Sequence, residues 1–261
     1  MGPLKRGQQR WEALARTDPL WAICADPEKR NGKWSREEFF ATGKKEVDAV
    51  LAHVGSLGLE SDPTSTALDF GCGVGRLTRA LALHFRECWG VDISSTMVAN
   101  AIEYNRDQPN CHFCINQAEH LRTFPDHHFG FIYSSIVLQH IKAKLVKRYL
   151  REMVRVLRPG GVLVFQIADH VNAGLLWKLR MKLGFRRRLN EVFAMDNTEI
   201  VMHYMNEAAV RWLLASEGVE IRDVCFTNSA DPQFNGNLQY VEHEPANFSV
   251  VSKQYCVVKK K

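Results

Sequence analysis

The most informative segment of the chain is Leu68-Asp69-Phe70-Gly71-Cys72-Gly73-Val74-Gly75-Arg76-Leu77. An apolar run, a glycine-rich stretch and a new apolar period follow one another, which predicts a strand, a tight turn and a helix. Gly71 and Gly73 let the backbone bend sharply and approach a ligand, and the start of the next helix offers unpaired amides. The glycine spacing is GxGxG, whereas the dinucleotide-binding fingerprint is GxGxxG. The segment therefore predicts a ligand-binding turn of another kind.

Two acidic residues flank this turn. Asp69 stands two residues before the first glycine, where its carboxylate would repel a pyrophosphate and attract a ligand with ammonium and sulfonium groups. The next predicted strand ends in Gly90-Val91-Asp92. An acid at that position accepts hydrogen bonds from two ribose hydroxyls, although Asp92 could instead cap the following helix together with Ser94 and Ser95. The pair of acids indicates a cationic ligand that carries a ribose.

This combination resembles the first motifs of class I S-adenosylmethionine-dependent methyltransferases. Three later segments are similar to motifs of the same family: Gln117-Ala118-Glu119-His120-Leu121, residues 131–141 and Leu157-Arg158-Pro159-Gly160-Gly161-Val162-Leu163. The resemblance covers about residues 64–168. It implies an α/β fold with three layers, a doubly wound Rossmann-like sheet that is mostly parallel with an antiparallel last strand. It also implies S-adenosyl-L-methionine as cofactor and S-adenosyl-L-homocysteine as product.

The resemblance implies a set of residues that contact the cofactor. For the methionine end these are Asp69, Gly71, Cys72, Gly73, Gly43, Ser135 and Leu138; for the ribose Asp92; and for the adenine Ile93, Met97, Ala118 and Glu119. Two of these assignments have an ordinary alternative, since Glu119 could be a solvated loop acid and Gly43 a break in a surface helix.

His140 is the candidate catalytic residue. It follows the predicted fourth strand and has a side-chain pKa naturally near neutrality. It could accept a proton from a substrate hydroxyl or amine, or only hydrogen-bond the substrate. A cap for the helix that begins near Lys142 is an equally good interpretation, and both stay open here.

The remaining pattern predicts the domain organisation. Residues 1–60 are expected to form an N-terminal helical extension, and residues 61–261 the methyltransferase domain. Strand and helix periods alternate over 66–167, which predicts a parallel sheet covered by helices. The expected elements are strands over 66–70, 88–91, 111–115, 129–136, 162–167, 219–227 and 248–258, and helices over 76–85, 96–105, 143–157 and 206–216. The last two strands predict an antiparallel closing pair.

Residues 169–204 break this alternation and are expected to form an insert that covers the substrate. Within it, residues 175–189 mix apolar and basic groups, with spacings that suit a helix slightly better than a strand. Arg186–Arg188 could meet an anionic acceptor or a membrane surface, although a solvated basic face is the more common outcome.

Composition limits the class of protein. The 261 residues are 46% hydrophobic and 24% charged, which excludes wholesale disorder and collagen-like or coiled-coil architectures. No run approaches the ~20 apolar residues of a membrane-spanning helix. Lys and Arg exceed Asp and Glu by 34 − 29 = 5, less than a dedicated nucleic-acid binder shows. Seven scattered cysteines and an N-terminus without a secretory pattern predict a cytoplasmic protein.

No metal is expected. Cys111-His112-Phe113-Cys114 matches CxxC, but residues three apart on a strand point to opposite faces, and no second cysteine pair exists. A core strand explains this segment better than a zinc site.

The acceptor is predicted to be a small molecule, methylated on O, N or C, because the signatures of base-methylating enzymes are missing after the fourth strand, where the sequence is Ser134-Ser135. Two alternatives stay open. One is methylation of RNA or another macromolecule, and the other is a catalytically silent cofactor-binding or scaffold protein. Oligomeric state is not predicted.

Overall fold

A computed structural model of the chain describes residues 2–171, 202–229, 234–244 and 250–261. Within these residues it shows one eight-stranded sheet with helices on both faces. The strands are β1 (Thr66–Phe70), β2 (Glu87–Asp92), β3 (Cys111–Ile115), β4 (Phe129–Ser134), β5 (Leu157–Val171), β6 (Val219–Thr227), β7 (Tyr240–Val241) and β8 (Val250–Lys259). The helices are α1 (Pro3–Thr17), α2 (Pro19–Ile23), α3 (Arg36–Ser56), α4 (Arg76–Leu81), α5 (Ser95–Tyr104), α6 (Ala143–Val156) and α7 (Glu207–Leu214).

The strand order places a candidate site at the middle of the sheet. The order is β3-β2-β1-β4-β5-β8-β6-β7, and the first five strands run parallel. β8 runs antiparallel to both β5 and β6. The order reverses between β1 and β4, so their connections leave on opposite faces and open a crevice at the carboxyl ends of these strands. The predicted fold class, with a reversed last strand, is confirmed.

Alternating side chains on the strands build two hydrophobic cores. Leu68 and Phe70 of β1 face a core that α6 and α7 cover. Ala67, the residue before Leu68, faces a second core that α3 and α4 cover. Because successive side chains on a strand point to opposite faces, a five-residue strand can anchor helices on both sides of the sheet. This fixes the glycine-rich turn after Phe70 between two rigid layers.

The N-terminal helices pack directly on the glycine-rich turn. Val74 and Met97 lie in a third apolar cluster with residues of α1, α2 and α3. The aromatic anchors Trp21, Trp34 and Phe39 are all buried in this cluster. Residues 2–56 therefore share a core with the sheet domain.

Several expected boundaries were wrong. The helix expected over 76–85 ends at Leu81, after which single hydrogen-bonded turns follow. The fourth strand ends at Ser134, because Ile136 adopts a positive φ of 61°. The fifth strand is longer than expected, since Leu157 pairs with Phe129 and a register shift accommodates the residues that follow. The short edge strand β7 was not predicted.

Parts of the expected lid fall outside the described residues. This holds for 172–201, and so for the helix-or-strand question over 175–189 and for Arg186–Arg188. Among the residues that the structure describes, no helix has both the length and the apolar character to cross a membrane.

Candidate active site

The turn after β1 can form only with glycines. Gly71 has a φ of +81° and Gly73 a φ of +53°. Both values lie in the left-handed region, which residues with a Cβ rarely adopt. A Cβ on Gly71 would lie 2.3 Å from a methyl group of Val137, and one on Gly73 would lie 2.4 Å from Ile23. Both positions therefore admit only glycine, because a side chain would collide with Val137 or Ile23.

The amides of this turn are already paired within the chain. Gly71 and Cys72 both donate to the carbonyl of Val91, at 2.8 and 3.0 Å. Gly73 donates to Oδ2 of Asp92 at 3.0 Å. Buried amides must find partners, and here the neighbouring strand supplies them. The neighbouring strand thus holds the turn in place. Contact of Gly71, Cys72 and Gly73 with the methionine end of a cofactor stays a prediction.

Asp69 is fully buried beside the turn. Its Oδ2 accepts a hydrogen bond of 2.7 Å from the hydroxyl of Thr78 on α4. Burial raises the pKa of this carboxyl to about 7, against the hydrogen bond from Thr78 and the charge of Arg76, which lower it. A buried acid with such a pKa can take on negative charge when a cation binds beside it.

The raised pKa of Asp69 predicts a pH-dependent stability. Between pH ~4 and ~7 the folded state holds a proton that the unfolded state has lost, so the free energy of unfolding falls as pH rises. Replacement of Asp69 with Asn, which keeps an acceptor for Thr78, should flatten this trend by up to about 1.4 kcal/mol per pH unit. Urea unfolding of both proteins across this range measures the difference. Parallel curves would contradict the prediction.

Asp92 joins the turn to the start of α5. Its Oδ1 accepts from the amide of Ser94 at 2.8 Å, while its Oδ2 accepts from Gly73. Desolvation raises the pKa of Asp92, and hydrogen bonds from the backbone of Ser94 and Gly73 oppose it. The residue as a whole is half-buried. Asp92 thus holds the turn. The helix cap that the sequence suggested is also present, because the hydroxyl of Ser94 accepts from the amide of Met97 at the start of α5.

Glu12 is a residue of this site that the sequence analysis missed. From α1 it accepts hydrogen bonds from the hydroxyls of Ser94, Ser95 and Thr96. Although burial raises its pKa, these bonds outweigh burial and lower it. The carboxylate lies at the N-terminus of α5, where negative charge is favourable. This contact fastens α1 over the turn.

The four residues predicted to contact adenine have different surroundings in the structure. Ile93 is partly exposed, whereas Met97 is buried in the N-terminal cluster. The carbonyl of Ala118 accepts from the hydroxyl of Tyr149 at 2.7 Å. Glu119 forms an ion pair with Arg148 of α6, so it is a partnered rather than a freely solvated acid. Their contact with adenine stays a prediction.

The chain leaves β4 in a strained conformation. Ser135 is buried and its hydroxyl has no hydrogen-bond partner among the described residues. Ile136 has a φ of +61°, which is a genuine outlier for a β-branched residue. Its amide donates to Oε1 of the buried Gln166 at 2.9 Å. Strain of this kind clusters at binding sites, and it marks the loop that the sequence analysis assigned to the cofactor. Leu138, by contrast, is fully buried in the main core.

His140 faces the N-terminal helix. Its ring lies edge-on to the indole of Trp11, with ring centroids 5.4 Å apart. Its Nε2 lies 3.3 Å from the side-chain amide nitrogen of Gln139. It ends a short 3-10 helix over Leu138–His140, before α6 begins at Ala143. The structure therefore places His140 beside Trp11 of α1. Its role in proton transfer stays a prediction.

Gly43 belongs to a packed helix and not to an open surface. A Cβ there would lie 2.4 Å from the carbonyl oxygen of Arg76, so the glycine permits α3 to touch α4. Next to it, Glu46 and Arg76 form a buried ion pair of 2.6 Å. The hydroxyl of Tyr133 donates to the other oxygen of Glu46 at 2.9 Å. This packing explains the glycine without a ligand, and a contact with the cofactor stays a prediction.

Comparison with known proteins assigns a family to the central part of the chain. Residues 68–165 match the sequence profile described as a methyltransferase domain. These residues run from β1 into β5 and include the glycine-rich turn, Asp92, Ser135 and His140. Residues 68–165 form a methyltransferase domain.

Curated relatives of this methyltransferase domain act on varied small molecules by name. A 2-methyl-6-phytyl-1,4-hydroquinone methyltransferase of Synechocystis is 34% identical over 48% of this chain and 39% of its own length. Norajmaline N-methyltransferase of Rauvolfia serpentina is 24% identical over 74% of this chain and 66% of its own. The chain spans only about 40% of the length of the first relatives it matches.

Solved structures share the fold over nearly the whole chain. Magnesium protoporphyrin IX methyltransferase from Synechocystis, crystallised with bound SAH, superposes with a TM-score of 0.63. The alignment covers 98% of this chain and 99% of that one, at 16% identity. At such an identity the likeness establishes the fold of the methyltransferase domain together with its N-terminal helices.

Proposed function

We propose that this chain transfers a methyl group from S-adenosyl-L-methionine to O, N or C of a small-molecule acceptor, in the cytoplasm. The observation that carries the proposal is the pair of acids, Asp69 and Asp92, on either side of the glycine turn. Both stand at carboxyl ends of parallel strands beside the point where the strand order reverses, which is where open α/β sheets bind ligands.

The residues present fit this cofactor. The unpartnered hydroxyl of Ser135 is buried at the end of β4 and can donate to a ligand. Gly71 and Gly73 expose bare backbone with positive φ at the carboxyl end of β1, which permits a close approach by a ligand. Asp92 would hold the ribose hydroxyls, and Asp69 would supply negative charge beneath the methionine end.

The contribution of the chain itself is orientation and exclusion of water. When bound, S-adenosyl-L-methionine supplies a methyl group already activated on a sulfonium sulfur. Glu12 fastens α1 over the turn by its hydrogen bond with Ser94. On the same helix, Trp11 contacts the ring of His140. Holding an acceptor in line there can supply about 7–11 kcal/mol of the barrier. Where the acceptor begins protonated, His140 would take the proton; otherwise it would only orient the acceptor.

Two observations support a small acceptor. Relatives over the matched region are named for a hydroquinone, norajmaline and trans-aconitate as substrates. Beside the strained loop at Ile136, the buried amide of Gln166 donates to Gln139 at 3.0 Å and to Ser252 at 2.6 Å. The loop is thus supported by uncharged groups, whereas binding of a phosphate backbone depends on Lys and Arg for most of its affinity. Preference for an anionic acceptor would depend on residues 186–188, outside the described ranges.

Calorimetric titration tests the proposal. We expect S-adenosylhomocysteine to bind at a one-to-one ratio and NADH not to bind. Turnover of S-adenosylmethionine with a panel of hydroquinones, carboxylic acids and amines should then exceed the rate without acceptor. Binding of NADH alone would overturn the cofactor. Turnover only with RNA, with a steep salt dependence of binding, would overturn the small acceptor, and binding without any turnover would favour a silent scaffold.

A further inference from the structure

A second cluster of reactive side chains lies on the face of the sheet that α3 covers. Nε2 of His53 lies 2.8 Å from Oδ2 of Asp223. Sγ of Cys225 lies 2.5 Å from the same oxygen and 3.5 Å from Nε2 of His53. All three side chains are half-buried. Three different donor types, nitrogen, oxygen and sulfur, thus converge on one point.

The local structure holds these side chains in place. Asp223 and Cys225 are two residues apart on β6, so they point to the same face of the strand. His53 comes from the end of α3, which packs across the sheet. Its ring stacks on the ring of Tyr240 from β7, with centroids 4.1 Å apart. Ligands from a helix and a strand are therefore positioned before any ion arrives.

We propose that His53, Asp223 and Cys225 bind a zinc ion. Imidazole nitrogen, carboxylate oxygen and thiolate sulfur are the three ligand types that zinc takes in proteins. Zinc bonds of ~2.0–2.3 Å place ligand atoms of a tetrahedron ~3.3–3.8 Å apart. The His53–Cys225 separation already has this value, while the two contacts to Asp223 must lengthen by up to about 1 Å. The thiol of Cys225, now donating to Asp223, loses its proton to solvent as the ion binds.

The position of this cluster indicates a structural clip and not a part of the methyl-transfer site. His53 lies seven residues beyond Glu46 on α3, or about 10 Å along the helix axis. Glu46 contacts Arg76, next to the glycine turn. Asp223, in contrast, lies on β6, which is four strands from β1 in the sheet order. The strand register places Asp223 level with Asp69 but roughly 19 Å away across the sheet. The exposed parts of His53 and Asp223, 20% and 28%, leave a fourth ligand position open to water. Zinc would fasten α3 to the strands that close the sheet.

Cobalt titration of the full chain tests the site without any methyl donor. We expect one Co²⁺ per chain, with the near-ultraviolet absorption of a cobalt–thiolate bond, and its loss when Zn²⁺ is added. Cys225→Ser should abolish that absorption. His53→Gln should weaken Co²⁺ binding more than about 100-fold, because even loss of an outer partner typically costs about 10- to 100-fold. Zn²⁺ should raise the Tm of the unaltered chain and not that of Cys225→Ser.

Cys114→Ser is the matched control. Cys114 is also half-buried and lies in the CxxC segment of β3. Its replacement should leave the cobalt spectrum and the Tm shift unchanged. The proposal is overturned if the chain shows no cobalt–thiolate absorption at micromolar protein, or if the absorption survives Cys225→Ser and disappears with Cys114→Ser. Failure here would leave the binding of S-adenosylhomocysteine untouched.

Discussion

Replacement of Asp92 with Asn should weaken binding of S-adenosylhomocysteine about 30- to 1,000-fold. The carboxylate would lose charge-assisted hydrogen bonds to the ribose, worth about 2–4 kcal/mol together. The new amide group would also meet the amide of Gly73, which now donates to Oδ2, so the turn itself would loosen. Calorimetry measures the change in Kd, and circular dichroism verifies that the variant is folded.

Glu87→Gln is the control on the same strand. Glu87 begins β2 at the end opposite to Asp92 and forms an ion pair with His112 on β3. Its loss should leave the affinity within about threefold, since a partly exposed ion pair is worth roughly 0–1 kcal/mol. An Asp92→Asn variant that binds as tightly as the unaltered chain would remove Asp92 from the ribose site. Equal losses in both variants would indicate damage to the fold.

Local sequence patterns predicted most of the sheet. Strands over 66–70, 111–115 and 219–227 match β1, β3 and β6 residue for residue. Their apolar runs are bounded by turn residues, so the hydrophobic pattern and the turn residues indicate the same strand ends. The glycines before α4 likewise mark a turn that nothing but glycine can form. Where the signal lies in neighbouring residues, the sequence was sufficient.

Contacts between distant residues were not predictable in this way. Gln166 supports the strained Ile136 from 30 positions away, and no local pattern indicates a positive φ for a β-branched residue. Glu12 reaches Ser94 across 82 positions. The internal acceptor of the Gly71 and Cys72 amides was missed for the same reason, because this acceptor, the carbonyl of Val91, belongs to another strand.

The buried pair of Glu46 and Arg76 is the least predictable of these contacts. Both side chains are nearly inaccessible, with 0% and 3% exposure, although charged residues are ordinarily exposed. Arg76 also donates to the hydroxyl of Thr42 at 3.3 Å, and Glu46 accepts from Tyr133. The pair joins α3, β4 and the first residue of α4, immediately after the glycine turn.

Removal of one partner from this pair should strongly destabilise the chain. With Glu46→Gln, the guanidinium of Arg76 would stay buried without a counter-charge, at a cost of about 3–5 kcal/mol in the free energy of unfolding. The double replacement Glu46→Leu with Arg76→Met should be more stable than Glu46→Gln, because no charge then remains buried. Urea unfolding of each variant measures these changes.

Lys44→Gln is the control for this prediction, on the same helix. Lys44 pairs with Asp48 at 2.6 Å on the exposed side of α3, with 59% and 41% of the side chains accessible. Solvent screens such a pair, so its loss should cost no more than about 1 kcal/mol. A Glu46→Gln variant as stable as Lys44→Gln would mean that Arg76 finds another partner or water. Since Arg76 follows the turn directly, a true loss should also reduce affinity for S-adenosylhomocysteine, whereas Lys44→Gln should not.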